Sequence, residues 1–188
     1  MPDEPAAAAS EARDFSDARG AQLLSLLTDL GARCRSTPTA KPGFLLWMSD
    51  GEVHDMVTEA DGYFVLQYAT RGAAPQPLFA SEHLEDVAKA LVLRLGPDAR
   101  ELARARPLPL PNKESELATG GELIRDLDGL RLSWTSGGRL HSAWLPDSRS
   151  GRIRAVEYSH IAQLPIEELV HAFLDDVAVR PGGADGRR

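Results

Sequence analysis

A single cysteine, Cys34, occurs in 188 residues. An internal disulfide and a cysteine-rich metal site are therefore both excluded, and a reducing compartment is favoured. No uncharged apolar run is long enough to span a bilayer. The segment Met1 to Arg19 is alanine-rich but carries Asp3, Glu4, Glu11, Asp14 and Asp17. It lacks the basic and apolar regions of a secretory signal, so a cytoplasmic location is expected. Lysine is also scarce, at three residues, and acidic groups outnumber basic ones to give a net charge of −7. That argues against nonspecific binding to nucleic acid or to an anionic membrane.

Catalytic signatures are missing as well. The chain has no G-x-S-x-G elbow, no phosphate loop and no dinucleotide fingerprint. The five histidines, His54, His83, His141, His160 and His171, show no metal-binding spacing such as H-E-x-x-H. Glu167-Glu168 and Asp175-Asp176 are adjacent pairs, whose members diverge around a helix. No catalytic residue, metal ligand or cofactor is nominated, and the chain reads as a binding protein, not an enzyme. The cluster Arg149, Arg152 and Arg154 has no interleaved aromatics, which fits a solvated loop better than an RNA surface.

What the chain does contain is a repeated hairpin. Trp47-Met48-Ser49-Asp50-Gly51-Glu52-Val53-His54 returns as Trp134-Thr135-Ser136-Gly137-Gly138-Arg139-Leu140-His141, with the same Trp-to-His spacing. Asp50-Gly51 and Gly137-Gly138 are turn dipeptides that tolerate positive φ. Trp47, Trp134 and Trp144 are either interface anchors or, as strands covered by helices favour, part of the core, where they are expected. His54 and His141 are strand histidines inherited twice, or matched anchors of a binding face.

Around these hairpins the pattern predicts an α+β protein. Residues 1–15 form a disordered arm. Residues 16–105 form a first meander-plus-helix repeat, opening with an N-terminal helix over Leu23, Leu26, Leu27 and Leu30 that stops at Gly31. Strands follow at 44–48, 53–58 and 63–68, with a short edge strand at Leu78-Phe79. A helix starts at the N-cap Ser81, presents Leu84, Val87, Ala88, Leu91, Val92 and Leu95, and ends at Gly96-Pro97. Residues 106–122 are a stiff linker set by Pro107, Pro109 and Pro111. Residues 123–179 repeat the plan in shorter form. Strands 130–134 and 140–145 precede a basic loop and a strand at 155–158. A helix after Pro165 then carries Ile166, Leu169, Val170, Phe173, Leu174 and Val177. Residues 180–188 are a tail. The two helices match at an offset of 82, and both are expected to cover one antiparallel sheet.

The run from Gly43 to Gly62, the Asp61-Gly62-Tyr63 turn and Ala143-Trp144-Leu145-Pro146 resemble the immunity proteins related to the antitoxin of the tuberculosis necrotizing toxin. The similarity extends over nearly the whole chain. It implies a small α+β monomer that binds one toxin domain one-to-one and blocks its NAD-hydrolysing cleft. A secretion chaperone or adaptor that holds a client segment is the alternative. Loop chemistry selects Asn112, Lys113 and Glu114 in the linker as partner contacts, with the acidic turn at Asp50 and Glu52. Lys113 is an isolated cation on a stiff loop, which loses little entropy on binding.

Overall fold

The computed structural model describes residues 14–174. Nearly all of the expected N-terminal arm, the C-terminal tail and the Val177 position of the last helix lie outside that range.

Asp17 caps α1, Ala18–Arg33, its carboxylate accepting the Gly20 amide at 2.7 Å. Leu23, Leu27 and Leu30 are fully buried, while Leu26 lies at the margin. Gly31 does not end the helix as expected. It lies within the last turn, where a Cβ would sit 2.3 Å from Met48 Cε and 2.5 Å from the Ser36 carbonyl oxygen. The glycine lets α1 press against the sheet.

Five strands follow as a meander: β1 Thr37–Pro38, β2 Leu46–Ser49, β3 Val53–Ala60, β4 Tyr63–Thr70 and β5 Gln76–Ser81. Three more form a second meander: β6 Glu122–Asp126, β7 Gly129–Ser136 and β8 Arg139–Leu145. The two join edge to edge, giving one eight-stranded sheet of order β1-β2-β3-β4-β5-β8-β7-β6. Every neighbouring pair is antiparallel. The Leu78-Phe79 segment is thus part of an interior strand, not an edge. Its second neighbour, β8, comes from the other half of the chain, a pairing that local pattern does not encode.

The central helix is α2, Leu84–Leu102. His83, not Ser81, occupies the N-cap position. The helix also continues through Gly96-Pro97, where it was expected to stop. Pro97 removes one backbone bond on an exposed surface. Against that loss, Gly96 forms a notch for Phe173, whose ring atoms would lie 2.3 to 2.6 Å from an added Cβ. Leu84, Val87, Ala88, Leu91, Val92 and Leu95 are buried, as their spacing predicted. Each such leucine contributes about 1.5–3 kcal/mol by leaving water.

Two short helices complete the covered side. The basic segment and the strand expected at 155–158 are instead one helix, α3, Arg149–Ile161. Ser148 caps it by accepting the Gly151 amide at 3.0 Å. Its buried face, Gly151, Ala155, Val156, Tyr158, Ser159 and Ile161, contains too many small and polar residues to look amphipathic. After Pro165, α4, Ile166–Leu174, packs chiefly on α2 and α1. Buried Arg100 on α2 holds it there, donating to the Ala172 and Phe173 carbonyls and to that of Arg106. The expected α+β architecture, with its N-terminal helix and antiparallel sheet, is what folds.

Candidate partner-binding face

Strand alternation decides what the sheet offers a partner. Leu46, Met48, Val57, Leu66, Phe79, Leu132, Trp134 and Leu145 point to the helices and are buried. The register places Trp47, Tyr63, Val65, Ala80, Arg131, Ser142 and Trp144 on the opposite face. No helix among the described residues packs there.

The matched tryptophans fall on different sides. Trp134 lies directly opposite His141, is 2% exposed, and meets Tyr158 of α3 at 5.2 Å. Trp47 lies opposite Met56, two residues out of that register, and is only half-buried. It faces away from the helices, stacked under Lys41 at 3.3 Å and beside Phe44 and His54. Expecting the tryptophans in the core beneath helices is therefore right for Trp134 and wrong for Trp47, and wrong also for Trp144, which the register puts on the uncovered face. The turns set the difference. Gly137-Gly138 forms a two-residue turn between Ser136 and Arg139, whereas Asp50 pairs with Val53 across Gly51-Glu52.

Where the two meanders meet, the uncovered face folds into a cleft of about 490 Å³. Tyr63, Val65, Ala80 and Trp144 make its floor, and Asp61, Asp126, Asp128 and Arg131 its rim. The indole of Trp144 is fixed by donating to the Asp128 carbonyl at 2.9 Å. Exposed apolar side chains lie on the same face. Tyr63, Ile124 and Leu140 lie on this face, and Leu127, 99% exposed, tops the turn between Asp126 and Asp128. An apolar patch inside an acidic rim has the anatomy of a protein interface.

The expected contact residues are both exposed and separate. The Asp50 carboxylate accepts the Glu52 and Val53 amides at 2.9 and 2.7 Å, which hold it below the usual carboxylate range. Glu52 pairs with Arg71 at 3.4 Å. Asn112 and Lys113 donate their amides to Glu116 at 3.3 and 3.1 Å, which lowers that carboxyl in turn. Lys113 opens a single 3-10 turn, Glu114–Glu116, docked on α3 by the His160 ring against the Glu116 carbonyl and by the Ala118 amide donating to the Ser159 hydroxyl. Glu114 lies 3.5 Å from Arg152. The Lys113 segment thus belongs to the β7–β8 half and the Asp50 turn to the β2–β3 end. The structure does not bring them together. Sequence reasoning missed Tyr63 and the acidic rim and favoured the core for Trp144, because their proximity depends on the β5–β8 pairing.

The sequence model of Imm61, immunity protein 61, matches residues 29–178. The chain belongs to the immunity protein 61 family. In fold it is similar to Rv3902c from M. tuberculosis, with a TM-score of 0.64 and 19% identity over 80% of this chain and 87% of that one. No curated protein matches. Family membership gives this immunity protein a role in immunity and implies a protein partner, a toxin. No described helix is long and apolar enough to cross a membrane. Cys34, the only thiol, is buried and pushed up to about 11, first by desolvation and then by Asp98. It is a poor nucleophile.

Proposed function

We propose that this immunity protein binds one cognate NAD-hydrolysing toxin domain in the producing cell, one to one, and inhibits it by occupying the substrate cleft. The observation that carries the reading is the aromatic-floored, acid-rimmed cleft on the uncovered sheet face, considered together with family membership. Tyr63 and Trp144 are the anchors, and the rim selects a basic surface. The loop of Asn112, Lys113 and Glu114 is a second contact, with Lys113 inserted into an anionic part of the toxin. Asp50 and Glu52 touch the partner only if it reaches the far end of the sheet. The protein works in the cytoplasm and uses neither catalysis nor a cofactor.

Co-expression with a toxin encoded beside its gene tests this: growth is rescued and a stable one-to-one complex is recovered. Failure of every adjacent toxin to bind removes the reading. Lys113→Glu should weaken inhibition, and unchanged inhibition takes the loop out of the account. One observation favours the secretion-adaptor alternative. The outermost strand, β6, is largely exposed and has no outer neighbour among the described residues, so it offers a template for an extended client. Pull-down of peptides from a secreted client, without any toxin domain, would support that alternative.

A further inference from the structure

The helix-covered side brings together three side chains that no sequence motif connects. His83 stands at the N-cap of α2 and Asp86 one turn later, while His141 reaches them from β8. One ligand-capable atom of each lies within 4.8 Å of the other two. We propose that His83, Asp86 and His141 form a binding site for a divalent first-row transition cation of the zinc class.

The donor set matches that chemistry. Imidazole and carboxylate together suit Zn²⁺ and its neighbours, whereas Mg²⁺ and Ca²⁺ prefer oxygen alone. Two histidines and one carboxylate occupy three positions and leave at least one open. Ligand atoms sharing a tetrahedral zinc ion stand about 3–3.5 Å apart, given bond lengths near 2.0–2.2 Å. Asp86 Oδ2 and His141 Nδ1 are already 3.0 Å apart. The third ligand, His83, already has its ring 4.6 Å from that of His141.

The surroundings orient these ligands. Asp86 is 2% exposed. Tyr158 donates to Oδ1 at 3.2 Å and Ser81 to Oδ2 at 3.1 Å, which fixes the carboxylate plane. The His141 ring is held between Trp134, stacked at 5.4 Å, and His83 at 4.6 Å. Both histidines keep part of their surface open, so a cation can enter from the His83 side.

The test uses the full chain, stripped with chelator, titrated with zinc chloride by calorimetry, and loaded separately with Co²⁺ for its visible absorption. The expected result is one saturable Zn²⁺ site per chain, a higher melting temperature, and Co²⁺ bands typical of mixed nitrogen and oxygen ligation. Mg²⁺ should have no effect. His83→Gln and His141→Gln should each weaken binding about tenfold or more. His83 is only partly buried, so the metal-free His83→Gln variant should melt close to the parent and separate ligation from folding. Absence of saturable binding would show that the three residues form only a hydrogen-bonded network, and would overturn the proposal. Binding undiminished in His83→Gln would place the ion elsewhere and overturn it equally.

Discussion

At the scale of single residues, Asp55 makes stability depend on pH. It is 4% exposed on the covered face of β3, paired with the Arg94 guanidinium, which also lies 5.1 Å from the Tyr68 ring. Burial raises its carboxyl above the usual range, and the opposing pull of Arg94 only partly offsets that. A raised folded value means the native state binds more protons above the ordinary aspartate range. Stability from this group is therefore present at low pH and lost as pH rises through the folded value. Denaturant titration of Asp55→Asn against the parent should show the difference shifting toward the variant from about pH 4 upward. A constant difference would refute this. The tryptophans show where residue-level reading stops. Sequence shows that Trp47 and Trp134 each precede a turn and a histidine. It does not show that Asp50 spans its turn differently from Gly137-Gly138, and a shift in register reassigns a strand's faces.

At the scale of elements, the legible parts were those with local causes. The leucine spacing of α1 and α2, the strands flanking Asp61-Gly62, and Pro165 at the start of α4 all express short-range rules. Gly96-Pro97 looked like a terminator because the residue that justifies the glycine, Phe173, is far away in sequence. Gly96→Ala should gain the roughly 1 kcal/mol of helix propensity yet still destabilise, since forcing a methyl into the Phe173 ring costs about 1–3 kcal/mol. A neutral or higher melting temperature would show that α4 yields easily. For α3, Ser148→Ala should cost about 1 kcal/mol by leaving the Gly151 amide without its cap. Chemical denaturation measures it, and an unchanged midpoint would mean that packing of Tyr158 and Ile161 alone sets the helix start.

For the whole molecule, the proposed function makes the uncovered sheet face the surface that meets a partner. Trp144→Ala and Tyr63→Asp should each lower toxin affinity by about 2 kcal/mol or more, the scale of an interface anchor. Circular dichroism should stay native, because neither side chain belongs to the helix-covered core. Neutralising Asp126 and Asp128 should slow association and flatten its salt dependence, with little change in dissociation. Surface plasmon resonance across a salt series would read both rates. The seam that builds this cleft has a further consequence, in time. It rests on two residue pairs, Ala80 with Trp144 and Ser81 with Ala143, joining strands about sixty residues apart in sequence. Local hairpins close first, and such distant pairing closes last. In refolding from denaturant, recovery of toxin binding should therefore track the slowest phase, after most secondary structure has returned. On the proposed function, a chain still being made would display its hairpins before it could hold a toxin, and protection would begin only with the final closure.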